Sequence, residues 1–100
     1  MSLDLKVPYK QLEAFCLKNR IRELSVFGSA IRDDFGPQSD VDLLVEFLPD
    51  ADLSLMDLVG LQEELKSLFG REVDLVEKRA LKNPFCRYAI LKSKEILYAA

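Results

Sequence analysis

The 100-residue sequence contains no histidine, and this absence excludes much of the common chemistry of active sites. Histidine is the usual general base, the partner of nucleophilic serine and cysteine, and a ligand of most catalytic zinc ions. Any catalysis must therefore rest on carboxylates, lysine, arginine, tyrosine, serine or cysteine. Cysteine is also scarce: Cys16 and Cys86 lie in apolar stretches without CxxC spacing. This favours two reduced, mostly buried thiols over a disulfide.

Long apolar runs and a surplus of positive charge are missing as well. No run approaches the ~20 apolar residues of a membrane span. Residues 1–6 lack the basic start and the long apolar stretch of a signal peptide, so we expect a cytoplasmic protein with no membrane association. Lys and Arg number 14 and Asp and Glu 17, a net charge of −3. This balance argues against binding nucleic acid through bulk charge, although it leaves a local basic patch open.

The length and the 49% apolar content fit one domain, spanning residues 1–100. Hydrophobic periodicity, caps and breakers predict four helices and three strands along it. The first three elements are a helix from Tyr9 to about Asn19, a strand 21–27 ending at Gly28, and a short helical turn starting at Ser29. They are followed by a strand 40–47 stopped by Pro49, and by a helix from Leu55 to Leu68 between a Ser54–Asp57 capping box and Gly70. The last two are a strand 71–77 and a helix that Asn83 caps, that starts at Pro84 and that includes Ile96 and Leu97.

This element order predicts the fold class. The helix between the second and third predicted strands would form a crossover connection, which joins two parallel strands. We therefore expect an α/β (α+β) protein, with a small mixed sheet and helices packed on one face.

Acidic residues recur on two of the predicted strands. Alternation puts Asp40 and Asp42 on one side of the second strand, and Glu72 and Asp74 together on the third. Taken singly, each acid is better explained as a solvated charge. If the strands are neighbours, however, the carboxylates share a face and repel, which folding would not favour without a compensating cation. Oxygen ligands without histidine or cysteine suit Mg²⁺ or Mn²⁺.

A Gly-Ser turn precedes the acidic doublet. Gly28 and Ser29 lie at a predicted strand-to-helix junction, where backbone N–H groups and the helix dipole favour an anion. In isolation the pair is better explained as a strand end and a helix cap. The chain has neither the Gly-Lys-Ser/Thr of a Walker loop nor a Rossmann fingerprint. Beside a metal-binding pair of aspartates, the turn indicates a site for a nucleoside triphosphate.

The combined pattern resembles the Gly-Ser…Asp-x-Asp signature of the DNA polymerase beta-like nucleotidyltransferases. The short length of the chain is similar to that of the minimal nucleotidyltransferases among them. The segment Ser39–Val45 reads Ser-Asp-Val-Asp-Leu-Leu-Val, and the strand around Asp74 resembles the one that bears the third carboxylate of the family. The resemblance implies catalytic and metal-binding roles for Asp40, Asp42 and Asp74. It implies nucleotide-binding roles for Gly28, Ser29, Arg32 and Ser39.

The resemblance also implies a mechanism. A hydroxyl, which Asp74 helps to activate, would attack the α-phosphorus of ATP in line, and pyrophosphate would leave. Two divalent cations ~3.5–4 Å apart would stabilise the attacking and leaving oxygens. The chain departs from the Gly-Ser-x-Ala-Arg-Gly of many minimal relatives, because Asp33 follows Arg32 where they have glycine. An acidic group there would weaken triphosphate binding or face solvent.

Three functions follow from the resemblance and stay open. The first is an antitoxin that transfers AMP from ATP onto a HEPN-domain protein partner. The second is a non-catalytic antitoxin with a vestigial site. The third is a catalytic subunit that acts on a small molecule or a nucleic acid. The residues name neither the nucleotide base nor the acceptor.

Overall fold

The computed structural model describes residues 7–28 and 40–100. No helix in these two segments is both long and apolar enough to cross a membrane. A 3₁₀ turn spans Lys78–Ala80, directly after the strand that ends at Glu77. The helices and strands are α1 (Tyr9–Lys18), β1 (Ile21–Phe27), β2 (Val41–Phe47), α2 (Leu55–Phe69), β3 (Val73–Glu77), α3 (Pro84–Ser93) and β4 (Glu95–Ala99).

The strands form one four-stranded sheet in the order β3-β2-β1-β4. β2 and β3 are parallel and are joined through α2, which confirms the predicted crossover connection. β1 runs antiparallel to both of its neighbours. The prediction of a mixed α/β sheet is therefore confirmed, although the sheet has one more strand than the sequence indicated.

Two helices cover one face of this sheet, which we call the helix-covered face. Alternate residues of β1 and β2 point towards α1 and α2, as their period of two predicts. The opposite face carries Asp42 and the residues that share its orientation, and we call it the site face. The core of the helix-covered face includes Leu12, Phe15 and Cys16 of α1, Leu61 and Leu65 of α2, Leu24 and Val26 of β1, and Val41, Leu43 and Val45 of β2.

The bounds of α2 follow from local chemistry. The Ser54 hydroxyl accepts a hydrogen bond from Asp57 N at 3.2 Å, and Asp57 Oδ2 accepts one from Ser54 N at 2.9 Å. This reciprocal capping box satisfies two N–H groups that a helix end would otherwise leave unpaired. Gly70 ends the helix in the left-handed conformation, with φ +68°. Both predicted ends of α2 are thus confirmed.

The last predicted helix is confirmed from Pro84 to Ser93 and is wrong beyond it. The Asn83 cap and Pro84 at the first position are confirmed, because Asn83 Oδ1 accepts from Phe85 N at 2.9 Å. The helix stops at Ser93, however, and residues 95–99 form β4 against the outer edge of β1. A register shift in this pairing accommodates Leu97, which packs partly buried against the core. Pairing the exposed edge of β1 outweighs the helical periodicity of the segment.

The two cysteines occupy different environments. Both thiols are free. Cys16 is buried, and desolvation raises the pKa of its thiol to about 12. Cys86 is exposed on α3, so the prediction of two mostly buried thiols is wrong for this residue.

Candidate active site

Asp42 and Asp74 are direct neighbours across the parallel strands β2 and β3. Each is the second residue of its strand, and the two are partners in the register. Register partners on adjacent strands point to the same face, so both carboxylates belong to the site face. Asp42 is half-buried, whereas Asp74 is exposed on β3, an edge strand. Sheet order, which the sequence does not state, brings these two predicted residues together.

Gly28 lies against the Asp42 carboxylate. It follows Phe27, whose register partner on β2 is Asp42, and it adopts a φ of +71°. A Cβ built on Gly28 would overlap Asp42 Oδ2 and would lie 3.3 Å from Asp42 Cγ. Glycine is therefore required for two independent reasons, the positive φ and the close approach of the carboxylate. The structure thus brings the predicted turn residue and the predicted acid side by side.

The other two predicted acids, Asp40 and Glu72, directly precede the strands of this pair. Asp40 directly precedes β2 and is exposed. The Glu72 carboxylate is 3.5 Å from Lys66 Nζ of α2, so it forms an ion pair with that lysine and is not part of the Asp42–Asp74 pair. Among residues 7–28 and 40–100, no three acidic or cysteine side chains are grouped to hold a metal ion.

Three of the predicted nucleotide-binding residues, Ser29, Arg32 and Ser39, lie outside the described residues, as does Asp33. Their expected roles remain predictions. Of that group, the described part of the chain contains only Gly28.

A second acidic pair on the site face is structural. Glu23 of β1 and Glu46 of β2 are register partners, and each is paired with a lysine: Glu23 with Lys94, and Glu46 with Lys78 at 3.3 Å. Burial opposes ionisation of Glu23, but the hydrogen bond and charge of Lys94 outweigh it, so the pKa of Glu23 is lowered. The fold thus neutralises this pair with its own cations.

The backbone next to Asp74 is held by a residue that the sequence analysis missed. Leu75 N donates a hydrogen bond to Gln62 Oε1 of α2 at 3.0 Å. This N–H belongs to the peptide group that directly follows Asp74, so α2 fixes the edge strand at the exposed carboxylate. No periodic signal reveals the contact, because its partners are 13 residues apart and neither is distinctive.

Known proteins resemble this chain in sequence and in fold. The family model of the nucleotidyltransferase domain matches residues 9–97. The protein adenylyltransferase MntA of Thermococcus cleftensis is 39% identical over 80 residues, which are 78% of this chain and 74% of that protein. The solved structure of a proposed minimal nucleotidyltransferase is 31% identical and superimposes with a TM-score of 0.71, covering 87% of this chain and 86% of its own.

A more distant neighbour is similar in fold. It is a chain from the complex of a tri-AMPylated HEPN toxin with its MNT antitoxin from Shewanella oneidensis. The TM-score is 0.66 at 19% identity, with 92% of this chain and 70% of the other covered.

The family match includes β1, β2 and β3, the strands that bring Gly28, Asp42 and Asp74 together. It spans most of the chain, and the relatives match over most of their own length. The chain therefore belongs to the nucleotidyltransferase domain family, as one of its minimal members, and is a nucleotidyltransferase enzyme.

Proposed function

We propose that this chain moves AMP from ATP onto a hydroxyl of a HEPN-domain partner in the cytoplasm and acts as the antitoxin of that partner. The observation that carries the proposal is the register pairing of Asp42 and Asp74 beside Gly28. The name of the Thermococcus relative, a protein adenylyltransferase, supports AMP as the transferred group. The Shewanella complex, an AMPylated HEPN toxin with an MNT antitoxin, supports the class of partner.

The carboxylates fit a divalent cation. The neighbours Asp42 and Asp74 would hold Mg²⁺ or Mn²⁺, Asp40 would complete the ligand set once the ion is bound, and the ion would neutralise phosphate charge. Mg²⁺ is commonly held by one or two carboxylates together with substrate phosphates, instead of by a complete cage of protein ligands. The adjacent pair Asp42 and Asp74 supplies two such oxygen donors. We therefore expect firm metal binding only together with the nucleotide.

The residues of the chain would divide the remaining work. The bare Cα of Gly28 lets a triphosphate approach the backbone, and Ser29, Arg32 and Ser39 would bind its phosphates. The acceptor oxygen forms a bond to the α-phosphorus, and the bond from this phosphorus to the bridging oxygen breaks, so pyrophosphate leaves with the electron pair. The proton of the acceptor hydroxyl passes to the Asp74 carboxylate. Because Asp74 is exposed on an edge strand, a side chain of a large partner can reach it.

Transfer of label from ATP radiolabelled at the α-phosphate to a purified HEPN-domain protein tests the proposal. Asp42→Asn keeps the shape of the side chain and removes one charge, so it should nearly abolish transfer while the fold survives. Glu46→Gln is the matched control, because Glu46 lies on the same strand and the same face. We expect this control to transfer label at the wild-type rate.

The same variants distinguish the alternatives when neutralisation of the partner's toxicity is also measured. Loss of both label transfer and neutralisation in Asp42→Asn supports an enzymatic antitoxin. Full neutralisation by Asp42→Asn would indicate a non-catalytic antitoxin. Label that appears on a small molecule or a nucleic acid, but not on the HEPN-domain protein, would indicate a catalytic subunit with another acceptor.

Thermal melts with Mg²⁺, ATP and both give an independent measurement. A ligand that binds only the folded state raises the midpoint by mass action. We expect a small rise with Mg²⁺ alone and a larger one with Mg²⁺ and ATP together. An unchanged midpoint at millimolar concentrations of both would count against a working nucleotide site.

A further inference from the structure

Helix α3 buries none of its ten residues. Phe85 is 85% exposed and Tyr88 66% exposed. One attachment of the helix is Arg87, whose Nη1 donates to the carbonyls of Lys78 and Leu81 at 3.2 and 3.5 Å, and Ile90 and Leu91 are half-buried. An isolated helix shorter than ~12–15 residues is marginal in water, and most helices gain their stability by burying an apolar face. The aromatic side of α3 is thus placed to be covered by another molecule.

The segment that contains α3 has a charge opposite to the rest of the chain. Residues 78–94 include six lysines and arginines and no acid, which leaves eight basic and 17 acidic residues elsewhere. Phe85, Tyr88 and Lys92 follow one another at spacings of three and four, so they share one side of the helix. Lys92 Nζ lies 5.7 Å from the centre of the Tyr88 ring. We call the side chains of Phe85, Tyr88 and Lys92, together with Lys82 in the segment just before the helix, the α3 surface.

Part of this positive charge is already neutralised within the chain. Lys78 and Lys94 pair with the strand glutamates described above, and Arg79 Nη2 is 2.6 Å from Glu77 Oε1. Within residues 7–28 and 40–100, Lys82 and Lys92 make no ion pair.

The composition of the α3 surface favours one class of occupant. Nucleic acid requires a series of cations available for phosphates, and its affinity grows with their number. Two exposed aromatic rings with two lysines correspond more closely to the apolar centre and charged rim of a protein interface. The complementary surface would be apolar at its centre and acidic at its rim.

We propose that the HEPN partner binds to the α3 surface through a patch of its own that is apolar at the centre and acidic at the rim; the identity of the partner rests on the proposed function. Docking there would bring the partner to the site face. Lys94, which directly follows α3, pairs with Glu23, and Glu23 lies on that face beside Glu46. The short segment between Glu77 and Pro84 links α3 to β3, the strand of Asp74.

Binding of a HEPN-domain protein from the same genome, measured by titration calorimetry without nucleotide, tests this surface. We expect Phe85→Ser/Tyr88→Ser to weaken binding by roughly thirtyfold or more, the loss typical of interface hot spots. Lys82→Glu/Lys92→Glu should also weaken it, and wild-type binding should weaken with salt. The control is Leu55→Ser/Met56→Ser on α2, where both side chains are 76% exposed. Circular dichroism checks that every variant is folded.

Each result decides the proposal. Loss of binding in the α3 variants with an unchanged control supports it. Unchanged binding in the α3 variants, equal loss in the control, or no binding by the wild type overturns it. A wild-type homodimer that the α3 variants abolish would assign the surface to a second copy of this chain. Binding of a single-stranded RNA oligonucleotide that depends on Phe85 and Tyr88, without binding of the protein, would assign it to nucleic acid.

The docking surface and the proposed function can fail separately. If the α3 variants lose binding while the wild type transfers no label, the docking surface stands and the transfer fails. If label is transferred and the α3 variants bind like the wild type, the transfer stands and the docking surface fails.

Discussion

Replacing Gly28 with alanine is expected to damage the site more than the fold. Gly28 has a φ of +71°, and the added methyl group would overlap Asp42 Oδ2. Gly70 is the matched control, because its φ is +68° and, flanking residues aside, no atom of residues 7–28 and 40–100 lies within 4 Å of a Cβ built there. The two alanine variants therefore share the backbone cost, and only Gly28→Ala displaces a carboxylate.

The size of each effect follows from these contacts. A left-handed conformation costs an L-residue about 1–2 kcal/mol, so Gly70→Ala should lose about this much stability. Gly28→Ala should lose about 0.5–1.5 kcal/mol more, because the Asp42 side chain must leave its preferred rotamer. Each kcal/mol lowers the melting midpoint of a domain of this size by about 4–8 °C. A misplacement of about 1 Å in an active site can cost about a hundredfold in rate, which is the loss we expect in label transfer by Gly28→Ala.

A double-mutant cycle isolates the contact between residues 28 and 42. In an Asp42→Ala background the carboxylate is gone, and Asp42 Cβ would lie 3.5 Å from the new methyl group, an ordinary contact. The free energy of unfolding, measured by urea denaturation, should then fall only by the backbone cost seen in Gly70→Ala. Gly28→Ala that transfers label at the wild-type rate, or that costs no more stability than Gly70→Ala, would refute the reasoning.

Three further outcomes are expected. Gly60→Ala lies inside α2, and apart from its own helix no atom in the described part of the chain is within 4 Å of the added methyl group, so it should stabilise the protein by about 1 kcal/mol and raise the melting midpoint. A thiol reagent at pH 8 should modify Cys86 in the native protein and should modify Cys16, whose pKa is about 12, only after unfolding; two fast thiols would contradict the buried core. Because the pKa of Glu23 is lowered in the folded state, its contribution to stability is present above its ordinary value of about 4.3 and is lost as the pH falls through the folded value. Glu23→Gln should remove this part of the acid destabilisation, seen in melts between pH 6 and pH 3.

Local patterns in the sequence were sufficient to predict those helices and strands whose ends depend on contacts between neighbouring residues. The capping box of Ser54 and Asp57 and the terminator Gly70 define α2 through contacts within a few residues, so they could be predicted from the sequence. The alternation of β2 likewise assigned Asp42 to the face opposite Val41 and Leu43, because the period of two is a property of the strand itself. The crossover through α2 also followed from the element order.

Long-range contacts decided the rest. Residues 95–99 continue a helical pattern, but the open edge of β1 recruits them as β4 because unpaired backbone groups there gain hydrogen bonds. The adjacency of Asp42 and Asp74 depends on β3 joining β2, and the overlap at Gly28 depends on the register between β1 and β2. The sequence by itself predicted the residues that we propose for a phosphate and metal site. Only the order and register of the strands, set by packing over the whole chain, decided which of them meet.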